Sequence, residues 1–79
     1  MANIRVYLTY PRELVKEPLL YQCSQLFKVV TNIRQASISD KIGLVALELE
    51  GDTEEIEKAI KFFIGKGVKV EPIELDIIE

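Results

Sequence analysis

The apolar residues of this chain change their spacing four times within 79 residues, and that order of changes limits the folds open to it. Residues 4–9 alternate, with Ile4, Val6 and Leu8 on one side, so they read as a strand that Pro11 closes. From Pro18 the spacing becomes helical: Leu19, Leu20, Cys23, Leu26 and Phe27 form one stripe, and Pro18 suits the first helical position. Residues 29–38 carry the β-branched Val29, Val30, Thr31, Ile33 and Ile38, and residues 44–50 alternate again with Val45, Leu47 and Leu49. The turn-forming stretch Ser39–Gly43 between them predicts an antiparallel hairpin. A second helix follows Gly51, capped by Asp52 or Thr53, with Glu54, Glu55 and Glu57 at its start and Ile56, Ala59, Ile60 and Phe63 inward. Glu54–Lys58 and Glu57–Lys61 have the spacing of helix-surface ion pairs, and Gly65 and Gly67 supply the stop. Val68 and Val70 open a last strand, interrupted by Pro72.

Strand, helix, strand, strand, helix, strand, with short connections, is the split βαβ order of an α+β, ferredoxin-like βαββαβ sandwich: a four-stranded antiparallel sheet with two helices on one face. One domain accounts for residues 1–79, since a chain this short hides only roughly 60–65% of its unfolded surface and gains from association.

In such a sandwich the residues out of phase with the core lie on the bare face of the sheet. These are Arg5, Tyr7 and Thr9 on the first strand, Asn32 and Arg34 on the second, and Leu44, Ala46 and Glu48 on the third. The phase breaks twice. Ile38 has the parity of Asn32, and Ile73 and Leu75 have that of Lys69, so a bulge or kink is expected in each of the two edge strands. The last strand ends in an apolar tail with Ile73, Leu75, Ile77 and Ile78, and self-association through that edge is the structural expectation.

Composition removes several classes of function. With one cysteine and no histidine the usual zinc and iron–sulfur ligand sets cannot be assembled, and no cofactor is expected. Ten basic residues are scattered among thirteen acidic ones at a net charge of −3, which argues against a nucleic-acid partner, and only Tyr7 is an aromatic on a central strand where a base would stack. No apolar run is long enough for membrane insertion, and the first residues lack a signal-peptide pattern, so the expected location is cytoplasmic.

Three bare-face residues stand out. Asn32 offers donor and acceptor to the ends of an amino acid, and equally to a strand-edge backbone group. Arg34 fits a carboxylate, or is solvated. Tyr7 suits a partner anchor or ordinary cross-strand packing. Cys23, in the inner stripe of the first helix, reads as core.

The stretch Val30–Ile33, followed by Gly43-Leu44-Val45-Ala46-Leu47-Glu48-Leu49-Glu50-Gly51-Asp52, resembles the NIL domain, named for an Asn-Ile-Leu motif and similar in layout to the ACT domain. Tyr10-Pro11, Pro18, Tyr21 and Gly65-Lys66-Gly67-Val68 extend the likeness over nearly the whole chain. The resemblance implies an amino-acid-sensing regulatory domain of methionine ABC transporters that binds methionine at a dimer interface. It also implies a partner protein, a transporter subunit or a ferredoxin. By it Asn32, Ile33 and Arg34 are the ligand-binding residues, and Arg34 stands where the motif has leucine, which leaves the ligand's identity open. Tyr7, Leu44, Ile38, Ile73 and Leu75 are the expected interface of a homodimer.

The reading is therefore a free-standing, non-enzymatic regulatory domain that acts in trans and binds a small molecule such as a methionine-like amino acid at a dimer surface; the alternative is an interaction or dimerisation module without a ligand. A remote third is an acylphosphatase-like enzyme, echoed by Arg12 and Asn32, although the loop of residues 10–17 lacks the glycines of a phosphate cradle.

Overall fold

The computed structural model describes residues 2–73. Its elements are β1 (Ala2–Pro11), a 3-10 turn (Arg12–Leu14), α1 (Leu19–Leu26), β2 (Val29–Ile38), β3 (Ile42–Gly51), α2 (Thr53–Lys66) and β4 (Lys69–Pro72). The sheet order is β2-β3-β1-β4 and every neighbouring pair is antiparallel, which is the expected α+β ferredoxin-like sandwich.

Alternation in the two central strands builds the core. Val6 and Leu8 of β1 and Val45, Leu47 and Leu49 of β3 turn to the helices, where Leu19 and Cys23 of α1 and Ile56, Ala59 and Phe63 of α2 meet them, all buried. Burying each of the larger of these, the valines, leucines, Ile56 and Phe63, stabilises the fold by about 1.5–3 kcal/mol.

Two glycines are required by geometry. Gly67 stops α2 at φ 103°, a left-handed conformation that side chains disfavour, while its N–H donates to the carbonyl of Ile64 and that of Val68 to Phe63. Gly65 is not part of the stop, because α2 runs through it to Lys66. At Gly51 a Cβ would sit 2.8 Å from the carbonyl oxygen of Lys28, so only glycine lets β3 pass the α1–β2 connection. That connection is tied to α2 by the Lys28 N–H, which donates to Oε1 of Glu55 at 2.8 Å. Lys58 pairs with this same Glu55 at 3.2 Å, and among the described residues neither Glu54–Lys58 nor Glu57–Lys61 forms.

Helix α1 differs from expectation at both ends. Pro18 is its N-cap and not its first turn, and Leu26 is exposed, since the chain extends again at Phe27 to enter β2. The helix has eight residues, about 12 Å of length, and it lies against a ten-residue strand of about 33 Å. It therefore leaves the far half of β2 uncovered.

The expected irregularity in β2 is a bulge. The pairing with β3 shifts by one between Ile33 and Gln35, so Arg34 is the extra residue. Beyond it Ala36 faces Val45 and Ile38 faces Gly43, on the helix side, and Gln35 and Ser37 take the bare face. No such break occurs in β4. Its register with β1 runs evenly from Lys69 to Pro72 and continues as the Ile73 N–H donates to the carbonyl of Arg5 at 3.0 Å. Pro72 causes no kink because its missing N–H falls on the outer side of an edge strand, and Ile73 lies on the bare-face side. Leu75, Ile77 and Ile78 lie outside the described residues.

Candidate functional site

The bare face is built in rows by the register of three strands. Arg5, Glu48 and Asn32 face one another across β1, β3 and β2; Tyr7, Ala46 and Gln35 form the next row; Thr9, Leu44 and Ser37 the third. The bulge inserts Arg34 between the first and second rows, and its guanidinium turns to Glu48.

Glu48 is thereby the hub of the polar end. Nε of Arg5 lies 3.7 Å from its Oε2 and Nη1 of Arg34 lies 3.6 Å from its Oε1, with the carboxylate only 15% exposed and both arginines open to solvent. These are ion-pair separations longer than a hydrogen bond, so each guanidinium keeps donors for another acceptor. Two positive groups, one negative group and the amide of Asn32 share this corner.

The apolar end adjoins it. Tyr7, Leu44 and Ala46, with Gln35, Ala36 and Ser37, line a shallow depression of about 210 Å³. Ala46 is 8% exposed although it belongs to the bare face, because its larger neighbours shield it, while Tyr7 and Leu44 stay open. The face thus sets hydrogen-bond donors and a carboxylate directly beside an apolar floor.

Of the residues singled out in the sequence, this face brings together Asn32, Arg34, Tyr7 and Leu44. Ile33 and Ile38 are not among them. They point to the helix side, where α1 falls short, and line a second apolar groove of about 210 Å³ with Tyr10, Val15, Leu20 and Tyr21. Ile33 is 54% and Ile38 65% exposed there. Glu48 and Arg5 were legible as bare-face residues, and the missing signal was the pairing register that sets both beside Asn32. The groove was foreshadowed by the length of the first helical stripe, too short for the strand it covers.

The acylphosphatase-like arrangement is not assembled. Arg12 follows Pro11, which faces Ile42, whereas Asn32 faces Glu48, six residues further along β3 and about 20 Å away. Arg12 instead borders an open polar depression with Glu13, Lys16, Ser39 and Asp40. Cys23 is buried in the core, and burial pushes its thiol up to about 11. Tyr10 is likewise pushed up to about 12, by burial first and by the nearby Cys23 second. Among the described residues no cluster of ligating side chains could hold a metal ion, and no helix is long and apolar enough to cross a membrane.

Residues 4–72 match the family described as the NIL domain. Over 72 residues the chain is 35% identical to the methionine import ATP-binding protein MetN of Bacillus subtilis (strain 168), a stretch covering 86% of this chain and 21% of that protein. The chain thus spans about a fifth of the length of this curated relative. Its fold is similar to the crystal structure of the C-terminal domain of an ABC transporter / ATP-binding protein from Enterococcus faecalis, with a TM-score of 0.81, 25% identity, and coverage of 92% of this chain and 86% of that one.

Proposed function

The chain belongs to the NIL domain family, and from that premise we propose that it is a regulatory domain that reads the level of a methionine-like amino acid on its bare sheet face, beside a second copy of itself. The observation that carries the reading is Glu48 held between Arg5 and Arg34 in register with Asn32, next to the depression of Tyr7, Ala46 and Leu44. The α-carboxylate is taken by Arg34, the α-ammonium by Glu48, the Asn32 amide serves either group, and the side chain lies over Ala46. The domain performs no chemistry on its ligand. It transmits occupancy, in the cytoplasm, to an ATP-binding transporter protein of the kind its Bacillus relative is named for.

Isothermal titration with methionine, norleucine, leucine and glutamate tests this. Heat is expected from the apolar amino acids and not from glutamate, whose second carboxylate would sit on the apolar floor. A flat titration across the panel overturns the ligand, and together with a stable dimer it identifies an interaction module instead.

A further inference from the structure

We infer that residues 74–79 of this same chain fold back across the bare face and take the corner of Arg5 and Arg34 together with the depression beside it, in competition with any other occupant. The contact stands on the face and on the sequence of the segment; only its effect on amino-acid binding rests on the proposed function.

The face has chemistry left over. Arg5 and Arg34 share one carboxylate, that of Glu48, at 3.7 and 3.6 Å, so each guanidinium retains N–H donors. Glu50, in the row beyond, forms an ion pair with neither. Lys69 and Glu71, facing Thr9 and Tyr7 on the same side, balance each other at 3.8 Å. Tyr7, Leu44 and Ile42 are each at least 40% exposed, and with Ala46 they make an apolar band along β1 and β3. An apolar band beside a cationic corner suits an acidic, apolar segment.

The segment after β4 has that composition. It reads Glu74-Leu75-Asp76-Ile77-Ile78-Glu79, three acids among three large apolar residues. Its starting point is fixed, because the Ile73 N–H donates to the carbonyl of Arg5 and Ile73 lies on the bare-face side. Six extended residues reach about 20 Å, and the three strand spacings from β4 to β2 amount to about 14 Å, so the segment can span the face. The rows of the face lie two residues, about 7 Å, apart along the strands. A chain crossing between the first two rows turns alternate side chains to each: Glu74 and Asp76 to the row of Arg5 and the inserted Arg34, Leu75 and Ile77 to that of Tyr7 and Ala46. Straight continuation of the β4 ladder is the competing course. It sets Glu74 opposite Ile4, on the side where Ile4 packs against the core, and a carboxylate against that surface gives up hydration.

Nitrogen–proton correlation spectra of the full chain, of Glu74→Lys combined with Asp76→Lys, and of a chain stopped after Ile73 test the contact. Circular dichroism checks folding, and the charge variant carries the test should the shortened chain fail to fold. Reversing the charges or removing the segment is expected to shift the amides of Arg5, Tyr7, Gln35 and Ala46 and to leave those of α1 in place. In titration with methionine the altered chains are expected to bind at least about threefold more tightly than the parent, because an occupied face lowers apparent affinity by the fraction left open. Identical spectra, or changes confined to residues 2–4 and the start of α2, overturn the proposal, the latter in favour of ladder continuation. Bare-face shifts that vanish on dilution overturn it by making the occupant the segment of a second copy, and equal affinities despite the shifts overturn the competition. Bare-face shifts without heat from any amino acid leave the contact standing and refute the ligand alone.

Discussion

Arg34, the extra residue of the β2 bulge, places its Nη1 3.6 Å from Oε1 of Glu48 on the adjacent strand. A bulge thus does two things at once. It re-aims Ala36 and Ile38 to the helix side, and it leaves one side chain free of the alternation to reach over the bare face.

The pair is therefore expected to matter for binding more than for folding. Both arginines are open to solvent, and such pairs contribute about 0–1 kcal/mol. Arg34→Ala should leave urea denaturation within about 1 kcal/mol of the parent while reducing amino-acid affinity about tenfold or more. Glu48→Gln, which keeps the shape and removes the ammonium's counter-charge, should do the same. Unchanged titration of both variants would remove this corner from the site.

Alkaline stability should follow Cys23 and Tyr10. Their folded values, about 11 and about 12, lie above their ordinary 9.0 and 10.0, so the folded state holds these protons more tightly. Their contribution is fully present below the ordinary values and is lost as pH rises through the folded ones. Thermal melts should fall between about pH 9 and 12, and Cys23→Ala should flatten the first part of the decline at a neutral-pH loss of about 1 kcal/mol. Alkylation of Cys23 at pH 8 should need unfolding.

At low pH the sign reverses at Glu55. The Lys28 N–H and the Lys58 ammonium hold its carboxyl below the ordinary 4.5. Its contribution is present above that value and disappears as pH falls through the lowered one. Glu55→Gln should give a flatter acid limb in melts followed from pH 6 to 2, and an unaltered limb would show that Glu55 does not govern it.

Gly67→Ala should lower stability by about 1 kcal/mol, because φ 103° strains any side chain there and the cap that ends α2 depends on it. Gly65→Ala, inside the same helix with open space around its Cβ position, should raise stability by about 0.5–1 kcal/mol. Chemical denaturation of the two variants side by side checks both signs.

What the chain determined by itself was the order of elements and the inner faces of its central strands. Val6, Leu8, Val45, Leu47 and Leu49 alternate, and Ile56, Ala59 and Phe63 follow a helical period, and such patterns are local. Even the bulge was foreshadowed by the parity of Ile38. The tertiary structure decided what stands beside what. Glu48 meets Arg5 and Arg34 only because three strands pair in one register, and Ile33 and Ile38 share a groove only because an eight-residue helix covers a ten-residue strand. Register and coverage are relations between segments distant in the chain, and no periodicity within either segment encodes them.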